Sequence, residues 1–459
     1  MARPDESNLT LALAKAAATT RWPALPAQVR EMAIDLFLDA LAVIAAGSLH
    51  RDMHGLVRQV APVTGPTTLV GTGTGVAMRD AVLLNAANIT VLQLQDGHAL
   101  AKGHPASQLV PVTLAIAERD GADADALLAA FVAGYEVGAR IGIALGGVLP
   151  WLHDTGNWAT LGAATAAAHL LSAGDETVIA GSIEGAASMG LFFDRFTTME
   201  GATLHHLYPA LATTTALAVA EGTAAGLTPR PGSLIDFYGP RLGEAFVPDL
   251  LVQGIDAGCW TSYEVLNGYF KLHPSCAHLH GVNDAVGELI AAEKIDEADV
   301  AAVVVETFGP AMEIDSHAPC NDLAARFSAA ATVAAALRHG RLDERGLQDL
   351  AGLAPLMQKI QVRHDPKLDA YAPEGRPGRV TIRLENGRTL TREVIYPRGT
   401  PAAPANRSER HDKARELLRR RYGPAGAERI IAAVLALGEG GSVAELSAVL
   451  RQVPVPSPR

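Results

Sequence analysis

Arg379-Val-Thr-Ile-Arg-Leu-Glu-Asn-Gly-Arg-Thr-Leu-Thr-Arg-Glu-Val394 is the stretch on which the fold assignment turns. Apolar and polar residues alternate on both sides of Asn386-Gly387, the period of a strand with one buried face. Asn-Gly itself is the dipeptide favoured in a type I′ hairpin. Upstream, Val300, Val303, Val304 and Val305 form a β-branched run that also suits a strand. Two helical segments, around 279 to 293 and 322 to 338, interrupt the strands, so residues 266 to 404 are expected to form an α+β domain.

Outward from this block the pattern is helical. Residues Leu9, Ala12, Leu13, Ala16 and Ala17, then Val29, Met32, Ala33, Leu36, Leu41 and Ile44, recur at helical spacing. Further helices are expected at 77 to 93, 105 to 119, 123 to 144, 157 to 172, 175 to 190 and 205 to 225, with Gly and Pro at the joins. The alanine content calls for close helix packing. After Pro397 to Asn406 the chain returns to helices over Lys413 to Arg420, Ala425 to Leu437 and Val443 to Arg451. The expected fold is mostly α: a large all-helical domain made from 1-265 and the returning 405-459, plus the smaller α+β domain at 266-404.

At 459 residues, 49% of them hydrophobic, the chain is long enough for two domains and a large core. A net charge of -11 with no basic, aromatic-interleaved stripe argues against a nucleic-acid partner. No apolar run reaches roughly 18 residues without polar breaks, so no membrane partner is expected. The polar N-terminus shows no apolar leader, and Cys259, Cys276 and Cys320 are odd in number and widely spaced. Together these fit reduced thiols and a cytoplasmic location. Gly71-Thr-Gly73-Thr-Gly75 places Val76 where a dinucleotide fingerprint needs glycine and reads as a plain turn. There is no phosphate loop, no Gly-x-Ser-x-Gly elbow and no His-Glu-x-x-His, so neither a bound metal nor a cofactor is expected.

Three polar clusters carry the chemistry. Gln93-Leu-Gln95-Asp96-Gly97-His98, followed by Gly103-His104-Pro105-Ala106-Ser107, runs through a proline into an apolar helix. His104 is thereby expected at the positive end of that helix, an end suited to a substrate carboxylate. Lys271-Leu-His273-Pro274-Ser275-Cys276-Ala-His278-Leu-His280 opens a second helix. His153-Asp154-Thr155-Gly156-Asn157-Trp158 precedes a third, where Asp154 or Thr155 serves equally well as a helix cap. Histidine and lysine converging on three helix starts favour an enzyme over a non-catalytic metabolite-binding protein, because binding alone needs cations but not groups of intermediate pKa.

Taken together, these motifs resemble the MmgE/PrpD family. The resemblance rests on Gln-Leu-Gln-Asp-Gly-His with Gly-His-Pro, and on Gly134-Tyr135-Glu136-Val137 with Arg140. It extends to Trp151-Leu-His153-Asp-Thr155 with Gly162, Lys271 to Cys276 with His280 and Asp284, and Ala325-Arg-Phe327-Ser328. It implies a cofactor-independent homodimer, a helical domain and a smaller α+β domain, and an active site between the two. It also implies one of three activities: 2-methylcitrate dehydration, cis-aconitate decarboxylation or iminodisuccinate epimerisation. Asp96, His104, Lys271 and His280 match family positions, and Cys276 stands where members carry cysteine or histidine.

The departures from the family pattern are specific. Gln93 and Gln95 replace acids, and Gly97 replaces threonine. No lysine occurs between Arg195 and Ala210, which leaves His205 or His206 to fill that place. The expected function is a lyase, foremost a dehydratase, acting on a small anionic di- or tricarboxylate by proton abstraction α to a carboxylate. Decarboxylase and epimerase are the competitors. Catalysis is assigned to His104, Asp96, Lys271, His280 and His153. In this assignment Asp96 orients an imidazole or a substrate hydroxyl, while Lys271 and the helix start at Pro105 hold carboxylate oxygens. Gln93, Gln95, His98, Ser107, Cys276, His205 and His206 are assigned to substrate contacts.

Overall fold

The structure is a computed structural model and describes residues 7–452. The helical part comprises α1 (Ser7–Ala18), α2 (Ala27–Gly47), α3 (Arg51–Val60), α4 (Met78–Thr90), α5 (Ala106–Asp120), α6 (Ala124–Ala144), α7 (Trp158–Leu171), α8 (Glu176–Ser188) and α9 (Leu207–Ala224). Small residues set its density. A Cβ on Gly134 of α6 would lie 2.6 Å from the Gly162 carbonyl oxygen of α7, and one on Gly142 would lie 2.8 Å from the Trp158 ring. Only glycine allows the two backbones this close, and the contact is a large share of the core. Helix α6 is apolar enough for a membrane span by composition, yet it is packed inside this core.

Two short antiparallel pairs interrupt the expected all-helical segment. β1 (Thr64–Leu69) pairs with β2 (Thr74–Val76), and Ile255–Asp256 pairs with Cys259–Trp260. The Gly-rich run is the turn between β1 and β2, with φ of 83° at Gly71 and 75° at Gly73. Two further short strands, β3 (Gly97–His98) and β4 (Gly268–Tyr269), pair with each other across a long sequence separation.

The sheet-bearing part contains α10 (His280–Ala292), β5 (Val300–Thr307), α11 (Ala329–His339), β6 (Ile360–His364), β7 (Gly378–Leu384) and β8 (Thr389–Val394). Strand order is β8-β7-β5-β6, with only the β5–β6 pair parallel. Val300, Val303, Val305, Val380 and Ile382 point to a buried face, and α10 packs on β7 and β8. The hairpin forms where the alternation places it, but its turn differs. Only Gly387 has positive φ, and Gly387 N–H donates to the Leu384 carbonyl. This is the three-residue loop of a type I turn with a left-handed glycine, not the two-residue type I′ turn. The helix expected over 322 to 338 is broken: Asp322–Ala325 is one turn, and α11 begins only after Ser328 caps it by accepting from Ala331 N–H.

The chain then returns to the helical part. α12 (Arg407–Leu437) lies along α2, and α13 (Val443–Leu450) packs on α12. Asn406 and Glu409 form a reciprocal capping box at its start, and Gly423, with φ 71° and ψ 172°, breaks the helix before Pro424. Buried Asp35 and Asp39 of α2 meet Arg410 at 3.2 Å, His411 at 2.9 Å and Lys413 at 2.7 Å. Lys413 also donates to the Leu94 carbonyl at 2.9 Å, which ties the C-terminal helix to the loop carrying Asp96.

Candidate active site

The pairing of β3 with β4 brings the first two polar clusters together. Gly97 is opposite Tyr269, so Asp96 and Lys271 flank one small ladder. Glycine at 97 lets the Tyr269 ring lie over the loop, because a Cβ there would sit 2.2 Å from that ring. Two motifs singled out in the sequence hold this junction. Glu136 accepts from Glu264 N–H and Val265 N–H, both at 2.9 Å, and pairs with Arg140, which donates to the carbonyls of Gln253 and Ser262. Arg326 donates to the Leu92 carbonyl at 3.1 Å and the Pro274 carbonyl at 3.2 Å, clamping the loops that lead to Asp96 and Lys271.

On the helical side, proton positions are set by the backbone. His104 Nδ1 lies 2.6 Å from the Asp96 carbonyl oxygen. A carbonyl only accepts, so Nδ1 carries the proton and Nε2 presents a lone pair. Burial, aided by the Lys271 charge, lowers the imidazole to about 3. Ser107 Oγ donates to the His104 carbonyl at 2.5 Å and fixes the same turn. Asp96 Oδ2 accepts from Ala106 N–H at 3.3 Å, so the aspartate itself occupies the start of α5 that the sequence offers to a substrate carboxylate. It is the Asp96 carbonyl, and not its side chain, that orients the imidazole. Burial pushes the Asp96 carboxyl up to about 8 despite that hydrogen bond.

The third cluster joins them. Burial works against ionisation of Asp154, but its contact with His153 and the charges of His104 and Lys271 outweigh it and hold the carboxyl well below the usual range. Thr155 N–H reaches His153 Nδ1 at 3.0 Å and Asp154 Oδ1 at 2.7 Å. The His153 ring packs 4.8 Å from His205, whose two ring nitrogens have no hydrogen-bond partner among the described residues. Burial and the neighbouring histidines hold His205 neutral.

The sheet-bearing side supplies cations. Lys271 is only 1% exposed and lowered to about 8 by burial, with Cys276 and Asp154 acting in the opposite direction. Its ammonium has no hydrogen-bond or carboxylate partner among the described residues. Burial raises the Cys276 thiol, and Lys271 opposes that shift. His280 begins α10, meets His273 edge to face with ring centres 5.3 Å apart and is kept neutral by burial, while His273 is anchored to Asp284 at 2.7 Å. His278, quoted in the sequence but not assigned, is buried to a pKa of about 3 within reach of Arg376, Arg195, Asp154 and Lys271.

The other assigned residues face elsewhere. His98 lies near the Glu264 carboxylate at 3.3 Å and accepts from Ala101 N–H, so both nitrogens brace the loop. Gln93 and Gln95 donate to Thr90, folding back on the end of α4. The His206 ring lies 5.9 Å from His205 and 6.3 Å from His50, beside the 3.1 Å His50–Asp322 contact. Of the two adjacent histidines it is His205 that shares the space of His153 and His104. Asp154, Tyr269 and Arg376 lie beside these groups and were not assigned from the sequence. Only Asp154, lying in a quoted motif, carried a sequence signal.

Comparison with known proteins gives matches over both parts of the chain. The MmgE/PrpD N-terminal domain profile matches residues 11–237 and the MmgE/PrpD C-terminal domain profile matches residues 273–439. The chain is 24% identical over 493 aligned positions to the cis-aconitate decarboxylase-like protein oryM of Aspergillus oryzae (strain ATCC 42149 / RIB 40), covering 97% of this chain and 98% of that one. With both domains matched in order over most of its length, the chain belongs to the MmgE/PrpD family.

Proposed function

We propose that the protein is a cofactor-independent lyase that removes a proton α to a carboxylate of a small di- or tricarboxylate and expels a β-hydroxyl. The observation that carries this reading is the opposed proton state of two neighbours. Burial leaves Asp96 protonated near neutral pH and His104 unprotonated, the division of labour of an acid and a base. His104 Nε2 takes the α-proton, and Asp154 lies close enough to stabilise the imidazolium that forms. Lys271 balances the enediolate charge. The C–O bond then breaks, the leaving hydroxyl takes the Asp96 proton and departs as water, and the proton on His104 is returned to reset the pair.

Decarboxylation is the second reading, favoured by the printed name of the Aspergillus relative. In that case the C–C bond breaks to release carbon dioxide, and the carbanion takes the Asp96 proton. Epimerisation would instead need a donor on the opposite face, and His153 or His205 would be the candidate. NMR of citrate-like, aconitate-like and amino-dicarboxylate compounds incubated with the protein in deuterated water separates the three. Loss of water with solvent exchange at the α-carbon is the expected result. A panel with no exchange, or activity abolished by chelation, overturns the proposal. A homodimer accompanies it: Trp151, Phe192, Phe196 and Leu204, each more than half exposed, are grouped on the segments carrying His153 and His205. Sedimentation at micromolar concentration checks this, and a clean monomer contradicts it.

A further inference from the structure

Arg376 is 7% exposed, and among the described residues its guanidinium has neither a carboxylate nor a hydrogen-bond partner. Other buried arginines of this chain are engaged: Arg140 pairs with Glu136, and Arg326 bonds two carbonyls and Asp322. A buried cation without a counter-charge is costly, and the cost is relieved when an anion arrives.

The seat of this side chain is constructed. Arg376 N–H donates to the Ile395 carbonyl at 3.1 Å. Its own carbonyl oxygen occupies the space of a side chain at Gly281, where a Cβ would be 2.1 Å away, so the segment presses onto the first turn of α10 beside His280. The guanidinium carbon stands 4.7 Å from the centre of the Tyr269 ring, the ring that covers Gly97 next to Asp96. A guanidinium on a ring face keeps N–H donors free at its edge, in the fork that matches a carboxylate. Its charge also acts on Lys271, Cys276, His278 and His280.

We propose that Arg376 binds the non-reacting carboxylate of the substrate while Lys271 serves the reacting one, so that the site selects acids with at least two carboxylates. The inference rests on the lyase reading and adds a specificity residue to it. A monocarboxylate would leave one of the two buried cations unpaired.

Calorimetric titration with propane-1,2,3-tricarboxylate, which lacks a leaving hydroxyl, tests the proposal alongside glutarate and butyrate. The unaltered protein is expected to bind glutarate at least about thirty-fold more tightly than butyrate. Arg376→Gln is expected to weaken tricarboxylate and glutarate binding by at least about thirty-fold and butyrate binding by less than about threefold, with Arg376→Lys in between. Tricarboxylate binding unchanged in a folded Arg376→Gln variant overturns the assignment and leaves the lyase reading standing. If that variant does not fold, discrimination of less than threefold between glutarate and butyrate by the unaltered protein overturns it equally. An unaltered protein that binds none of the three acids removes the lyase reading and this inference together.

Discussion

The two sides of the cluster are built on different principles. On the helical side, Asp96, His104 and His153 are held by backbone groups: the Asp96 carbonyl, Ala106 N–H and Thr155 N–H. Fixed partners decide which atom carries a proton, and proton transfer needs that order. On the sheet-bearing side, the Lys271 and Arg376 side chains are buried and, among the described residues, have no hydrogen-bond or carboxylate partner. One side fixes proton positions, and the other gathers positive charge.

That contrast breaks most sharply at His104. His104→Ala is expected to lower turnover by roughly two to four orders of magnitude, as for a lost general acid or base, with thermal unfolding little changed. Turnover within tenfold of the unaltered protein contradicts the assignment of roles.

Lys271→Met tests the other side and should move stability in the opposite sense to activity. The pKa of Lys271 is lowered to about 8, so its proton is held less tightly folded than unfolded, and below pH 8 the charged lysine weakens the fold. Turnover is expected to fall about a hundredfold while stability at pH 7 rises by about 2 kcal/mol. A destabilised variant would show that Lys271 has a structural partner.

Asp96 gives the pH test. Its folded pKa is raised to about 8, so the folded state binds the proton more tightly than the unfolded chain does. The stability this contributes is complete below about pH 4 and is lost as pH rises through 8. Denaturant midpoints of Asp96→Asn are therefore expected to fall less between pH 5 and 9 than those of the unaltered protein. The decline of kcat/KM above about pH 8 expected of the unaltered protein shares this origin with the deprotonation of Lys271. The smallest effect concerns the adjacent histidines: His205→Gln is expected to lower turnover about tenfold, and His206→Gln by less than about threefold. Equal losses would mean that the different neighbours of the two rings, His153 for one and His50 for the other, carry no functional weight.

Much of the fold was legible because its signals are local. Helical periodicity located α4 to α9 within a few residues, and alternation located β7 and β8 around Asn386-Gly387. The break at Arg326 to Ser328 was hidden because an Ala-rich run stays helical in pattern across it. The Arg326 side chain, drawn to Leu92 and Pro274, decides it instead. Strand β6 was missed because Ile360-Gln-Val-Arg-His364 is short and only half-buried at the sheet edge. In the site, motif position marked Asp96, His104, His153 and Lys271, whereas Tyr269 and Arg376 stand in no motif.

The sequence by itself determined the element types, the family and the kinds of chemical group available, since periodicity and motif spacing are properties of neighbouring residues. Only the tertiary structure decided what state those groups are in. Burial keeps the proton on Asp96 and holds His104 neutral well below its ordinary pKa, because it penalises charge on both, and no spacing rule reports burial. His205 and His206 differ because one ring meets His153 and the other His50. Arg376 joins Lys271 because Gly281 and Tyr269, distant in the chain, leave room for it and support it.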